Sequence, residues 1–265
     1  MSTFKVTLAY DGTDYVGWQR QASGVSIQGL LEDALRALDG RDVAVAGAGR
    51  TDAGVHALGQ VASFSLERSI DVGTLTRALN GHLPQDVRVV SAEAAPDGFH
   101  ARFDARAKTY RYRIWNGPVA SPFERRYVWH IVDPLDVDAM NMAAARLVGE
   151  HDFASFQSAG GEAATTVRRV FSSELIREPP SIGNPQSIRN PQSAILNYEI
   201  TGDGFLRHMV RAIAGSLIEV GRRRRAPEWM ADVLAARDRS RAGDTAPAAG
   251  LFLVSVAYDA FAAEP

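Results

Sequence analysis

The run Gly47-Ala48-Gly49-Arg50-Thr51-Asp52-Ala53-Gly54-Val55-His56-Ala57 sets two charged side chains in a segment otherwise made of small or apolar residues. Glycines at such spacing let a backbone come close to a neighbour or a ligand. A loop that follows a strand is also where functional side chains gather. The GxxxxG of a phosphate-binding loop is present from Gly49 to Gly54, but Val55-His56 stands where Lys-Ser/Thr is needed, and Asp52 would repel a phosphate. Two readings remain. In one, Arg50 and Asp52 form a local ion pair and the glycines only turn the chain. In the other, an exposed carboxylate serves as nucleophile or acid/base, kept ionised by a neighbouring cation when a substrate excludes water.

Outward from this loop, periodicity assigns the elements. Phe4, Val6, Leu8 and Tyr10 alternate with Lys5, Thr7 and Ala9, a half-buried strand closed by Asp11-Gly12. Ile27, Leu30, Leu31, Ala34, Leu35 and Leu38 recur at helical spacing, with Ser26 as N-cap and Gly40 past the end. Short strands are expected at Val43 to Ala46, Val61 to Phe64 and Val87 to Ala92, with a helix at Val72 to Leu79. Beyond Arg106, strands are expected at Thr109 to Trp115, Val167 to Ile176, Ala194 to Ile200 and Leu251 to Ala257. Helices are expected at Val137 to Val148 and Glu228 to Ala236, with a long stripe of Phe205, Met209, Val210, Ile213, Leu217 and Val220. This is an α+β chain of two similar domains with a cleft between them, residues 1–105 and 106–265. Ser181 to Gln186 and Ser187 to Gln192 form a near-perfect tandem hexad, whose Asn-Pro steps favour a surface loop.

The 265 residues are 46% hydrophobic and 23% charged, and on the order of 70 to 75% of the unfolded surface should be buried, so no staples are needed. With no cysteine, disulfides and thiolate metal sites are excluded. The six histidines show no metal-ligand spacing, and there is no GxSxG. The start lacks an apolar signal segment and no run reaches the roughly 18 apolar residues of a membrane span, so a cytoplasmic protein is expected. The net charge of −2 hides a partition: Phe99 to His130 carries +5 and Ile200 to Arg225 carries +4, leaving −11 elsewhere. Such a distribution suits either a polyanion-binding surface or ordinary solvated faces.

GRTDAGVHA, together with Tyr10-Asp11-Gly12-Thr13, Gly17-Trp18-Gln19, Phe99-His100-Ala101-Arg102-Phe103, Lys108-Thr109-Tyr110-Arg111-Tyr112 and Phe205-Leu206-Arg207-His208-Met209-Val210-Arg211, resembles the TruA family of tRNA pseudouridine synthases. The motifs stand in the family's order over nearly the whole chain. The resemblance implies antiparallel sheets meeting at a central basic cleft, and isomerisation of uridine to pseudouridine in the anticodon arm of tRNA (positions 38, 39 and 40). It implies no cofactor and no metal, and a homodimer in which one tRNA touches both subunits. It further implies that Asp52 is the catalytic nucleophile, that Arg211 pairs with it, and that Tyr110 stacks on the target uracil and helps move a proton. Arg50 would enter the RNA stem and aid base extrusion, Leu251 would line the pocket, and Arg106, Lys108, Arg111, Arg222 and Arg223 would contact the phosphate backbone. Burial in a core is the alternative reading for Tyr110 and for Leu251. The competing functions are a noncatalytic RNA-binding module, which needs no carboxylate at position 52, and a small-molecule nucleotide enzyme, which lacks its phosphate loop here.

Overall fold

In β1 (Ser2–Tyr10), Phe4, Val6, Leu8 and Tyr10 are buried while the residues between them are half-exposed, as period-two alternation demands. The computed structural model describes residues 1–161, 163–178 and 194–259; the tandem hexad lies outside them. Two compact units are present, one comprising Met1–Arg106 with the chain returning at Phe252, the other Ala107–Leu251. Their strands are mostly antiparallel, and the α+β class expected from the periodicity is what the chain adopts.

In the first unit β1 pairs antiparallel with β3 (His56–Leu66) and with β4 (Val87–Ala94), and the two-residue β2 (Ala46–Gly47) adds to β3. Helix α1 (Ile27–Asp39) starts on Ser26, whose side chain accepts the Gly29 N–H, and ends on Gly40 in the left-handed region, both as expected. Ile27, Leu31, Ala34 and Leu35 form its buried stripe. Helix α2 (Val72–His82) is capped by Asp71 and packs on β4. The closing strand β10 (Leu251–Ala257), expected in the second half, runs parallel to β3 through Phe252↔His56 and Leu253↔Ala57.

In the second unit β5 (Ala107–Asn116), β9 (Ala194–Gly202), β8 (Val167–Arg177) and β7 (Gly149–Asp152) form an antiparallel series, and β6 (Trp129–Ile131) runs parallel to β5. Helix α3 (Val137–Ala145) packs on β8 and on α4 (Met209–Gly221); α5 (Trp229–Ala236) packs on α3. Eleven of the thirteen residues of α4 are buried, so it is a core helix rather than a surface one.

The differences from the sequence expectation are local. The stripe beginning at Phe205 becomes helical only at Met209, because His208 takes a left-handed conformation (φ 61°) and its Nδ1 sits 2.9 Å from Ser158 Oγ, while the Ser158 N–H donates to Arg207 O. The expected strand at Val43 to Ala46 contracts to β2, and the helix at 137–148 stops at Ala145. Strand β3 is longer than expected since it is buried on both faces and shows no alternation. Strands β6 and β7 are too short to carry a period. No helix among the described residues is long and apolar enough to cross a membrane.

Gly215 lets α4 touch the backbone of the segment that follows α5: a Cβ there would collide with Asp244 O, and the neighbouring Gly243 N–H donates to Ser216 Oγ at 2.9 Å. Gly215→Ala should therefore lower stability by about 1–3 kcal/mol, the usual penalty of overpacking, read as a reduced denaturation midpoint with an unchanged slope.

Candidate functional site

The loop between β2 and β3 is held from below by side chains and from the side by backbone. Thr51 points inward and is buried, its Oγ1 2.8 Å from the Tyr10 hydroxyl. Gln60 on β3 donates through Nε2 to Gly49 O at 2.8 Å and reaches the Tyr10 hydroxyl at 3.4 Å. From the N-terminal segment, the Trp18 N–H donates to Thr51 O at 3.0 Å; in return the Gly54 N–H donates to Tyr15 O at 3.4 Å, and the Val55 N–H closes a turn on Asp52 O. Gly17, at φ 105°, makes this approach feasible, because a Cβ would lie 2.5 Å from Thr51 O and 3.0 Å from the Asp52 carbonyl carbon. Gly12 meets Val55 O in the same way.

Around the buried Thr51, Arg50 is exposed and Asp52 half-buried. At the far end of the loop His56 is buried and stacks on Phe252 with ring centroids 4.6 Å apart. Its Nδ1 lies 3.1 Å from the Gly12 N–H nitrogen and 3.1 Å from Asp11 Oδ1. One ring nitrogen serves one of these at a time, accepting from Gly12 when bare and donating to Asp11 when protonated. Either way the loop's exit is tied to the Tyr10-Asp11-Gly12 turn. Arg106, also in the first unit, is exposed, and its N–H donates to Ala257 O.

The remaining expected residues lie in the second unit. Tyr110 is buried in β5, and its ring meets Phe205 edge-on at 5.0 Å. Lys108 shares its strand parity, whereas Arg111 falls on the opposite face and is clamped by Glu199 of β9, with Nε and Nη2 2.7 and 2.6 Å from one oxygen. Arg211 in α4 donates from Nε to Ala246 O at 2.7 Å, and the Ala246 N–H returns a bond to Arg211 O, so the stem of this side chain is fixed. Beside it Tyr112, fully buried, donates to Pro247 O at 2.7 Å; burial pushes its pKa well up, and the Arg211 charge opposes that shift. Leu251 is buried where β10 begins. The arginine run after α4 is engaged within its own unit. Arg223 bonds Asp136 at 3.1 Å, Arg224 bonds Glu219 at 3.1 Å, and Arg225 lies over the Trp229 ring. Arg222 lies 3.3 Å from Asp133 without hydrogen-bond geometry.

The structure thus brings Arg50, Asp52 and Arg106 into one unit and Lys108, Tyr110, Arg111, Arg211, Arg222, Arg223 and Leu251 into the other. Tyr10, Gln60, Tyr112 and Glu199 support these residues and were not singled out from sequence as functional. Tyr10 and Tyr112 stand inside the quoted motifs, whereas Gln60 and Glu199 carry no local signal of their role.

Burial pushes the Tyr10 phenol up to about 12, partly offset by its bonds to Thr51 and Gln60. The fold favours the neutral ring, so this contribution is intact below pH 10, where the unfolded chain begins to ionise, and is lost as pH rises towards 12. Tyr10→Phe should cost about 1 kcal/mol at neutral pH and lose less stability than the parent chain between pH 10 and 12, measured by urea denaturation at each pH.

A family model described as tRNA pseudouridine synthase matches residues 7–104 and 143–259, which takes in the Asp52 loop and Arg211. Tyr110 falls between the two matched segments. The tRNA pseudouridine synthase A of Pelobacter propionicus is 45% identical over 259 residues, covering 97% of this chain and 100% of that protein. Its namesakes from Moorella thermoacetica and Myxococcus xanthus are 47% identical over 261 residues and 46% over 258, each covering 97% of this chain, and 100% and 92% of those proteins respectively. With both segments that hold the Asp52 loop and Arg211 inside the matched regions, the chain belongs to the tRNA pseudouridine synthases.

Proposed function

We propose that this protein isomerises uridines of the anticodon arm of tRNA, at positions 38, 39 and 40, with Asp52 as nucleophile and without a cofactor, acting as a cytoplasmic homodimer. The observation that carries the reading is the construction of the Asp52 loop, in which Thr51 is anchored inward and the backbone is clamped by residues 10–18, so that Arg50 and Asp52 are presented on a rigid base. Preorganisation of this kind is what a reacting carboxylate needs.

The reaction breaks the C1′–N1 bond, rotates the uracil and forms a C1′–C5 bond; the C5 proton leaves and N1 gains one, so the product is an isomer. Asp52 attacks the substrate, at base or sugar, and its carboxylate is regenerated before the product leaves. Arg211 pairs with Asp52 and holds it ionised and aimed after RNA has displaced water. Tyr110 supplies the flat contact for the freed ring and helps move the C5 proton, while Arg50 fills the space of the extruded nucleotide and offsets part of the unstacking cost. Leu251 closes the pocket. Arg106, Lys108, Arg111, Arg222 and Arg223 contact phosphates. For Arg111, Arg222 and Arg223 this means exchanging carboxylate partners for phosphate, an exchange that costs least at Arg223, the most exposed of the three.

Asp52→Asn should bind tRNA with near-parental affinity and form no pseudouridine in a tritium-release assay; retained turnover would remove Asp52 from the mechanism, and a parent protein that bound without turnover would leave only an RNA-binding module. Binding should weaken steeply with salt, and replacing Arg222 and Arg223 together by Ala should lower the slope of log affinity against log salt by about 1–2, since each phosphate contact contributes about 0.7–0.9.

A further inference from the structure

We infer that Phe103 is a stacking platform for an unpaired base of the RNA substrate. The inference rests on tRNA being the substrate. Phe103 is 75% exposed in the first unit. Lone exposed apolar residues are common and need no explanation; what distinguishes Phe103 is that its exposure is built. Its ring stacks on His100, with centroids 4.2 Å apart and planes 29° from parallel. The N–H groups of Arg102 and Phe103 both donate to His100 Nδ1, at 3.1 and 3.4 Å. The His100 N–H donates to Asp104 Oδ2 at 2.8 Å and the Asp104 N–H returns a bond to His100 O at 3.1 Å.

The middle of this turn is bolted to the sheet. Ala101 is fully buried; its N–H donates to Ser63 Oγ on β3 at 3.0 Å, and its carbonyl accepts from the Tyr258 hydroxyl at 2.8 Å. With Ala101 pinned inward, Phe103 is held outward and has no route to burial within its own loop. A rigid aromatic ring presented to solvent loses little entropy on meeting a flat partner.

The surroundings select the partner. The exposed neighbours of Phe103 in this turn are Arg102 and Asp104, with Arg106 just beyond. The Arg102 guanidinium lies over the ring, 5.8 Å from its centroid, and the Asp104 carboxylate accepts the His100 N–H. A ring with an arginine over it matches a nucleobase and its phosphate: the base takes the guanidinium's place on the ring and the displaced cation meets the phosphate.

The test uses the full-length chain with Phe103→Leu, which keeps an apolar side chain but removes the π face, and Phe103→Trp, which enlarges it. Affinity for an anticodon-arm tRNA is measured by equilibrium binding, turnover at saturating tRNA by pseudouridine formation, and mass by sedimentation. The Leu variant should bind tRNA at least about fivefold more weakly, the lower end for loss of one stacked base, with saturating turnover unchanged, and the Trp variant should bind at least as well as the parent. Parental affinity in the Leu variant, equal weakening in both variants, or a change of oligomeric mass in the Leu variant would each overturn the platform, the last by making Phe103 a contact between copies. A parent chain that forms no pseudouridine would instead defeat the functional reading, and the binding comparison would still decide on Phe103.

Discussion

Two backbones touch in the first unit of this protein, and nothing larger than hydrogen fits between them at Gly12 and Gly17. That contact brings the segment after β1 against the loop before β3, and hydrogen bonds from the Trp18 and Gly54 N–H groups lock it. Buried beneath it, Tyr10, Thr51 and Gln60 satisfy one another and the Gly49 carbonyl. A buried polar cluster of this kind is tolerable only when its members are paired, and being paired it admits one arrangement of the loop. Arg50 and Asp52 flank the buried Thr51 on this fixed backbone. The chemistry proposed for Asp52 thus depends on residues that never touch a substrate.

The second unit uses a different device to the same end. Its central helix α4 is buried almost all round, so its position is set by packing rather than by solvent. Arg211 emerges from that helix with its Nε bonded to Ala246 O, and the absent side chain at Gly215 lets the segment containing Ala246 lie against the helix. A cation on a fixed stem has little rotamer freedom left to lose, which suits a residue meant to hold one geometry.

Charge tells a similar story of context. Counted along the chain, the segment ending in Arg222-Arg223-Arg224-Arg225 carries a surplus of +4. In space Asp133 lies near Arg222, Asp136 bonds Arg223, and Glu219 bonds Arg224, while Glu199 clamps Arg111. Asp133 and Asp136 come from outside both basic segments. Each pair has at least one half-buried member, so these contacts orient the arginines.

The amino-acid sequence by itself determined the α+β class, the caps and stripe of α1, the alternation of β1, and the family, because each rests on residues close in sequence or on ordered motifs. Arg211 and Tyr110 were legible only as motif members, and Asp52 from its glycine-rich loop only as one of two readings; neither charge counting nor periodicity separates a reacting carboxylate from a solvated one. What only the tertiary structure decided is which groups support them. Tyr10 and Gln60 are fifty positions apart, Gly17 meets a loop more than thirty residues away, and Arg211 meets Ala246 across a helix and two turns. The parallel placement of β10 on β3 and the late start of α4 at His208 were settled in the same way. The reason is physical. Period and propensity report how a segment meets water, whereas a hydrogen bond or a van der Waals contact between distant segments exists only once the chain has closed on itself, and the residues that make it look in sequence like ordinary core.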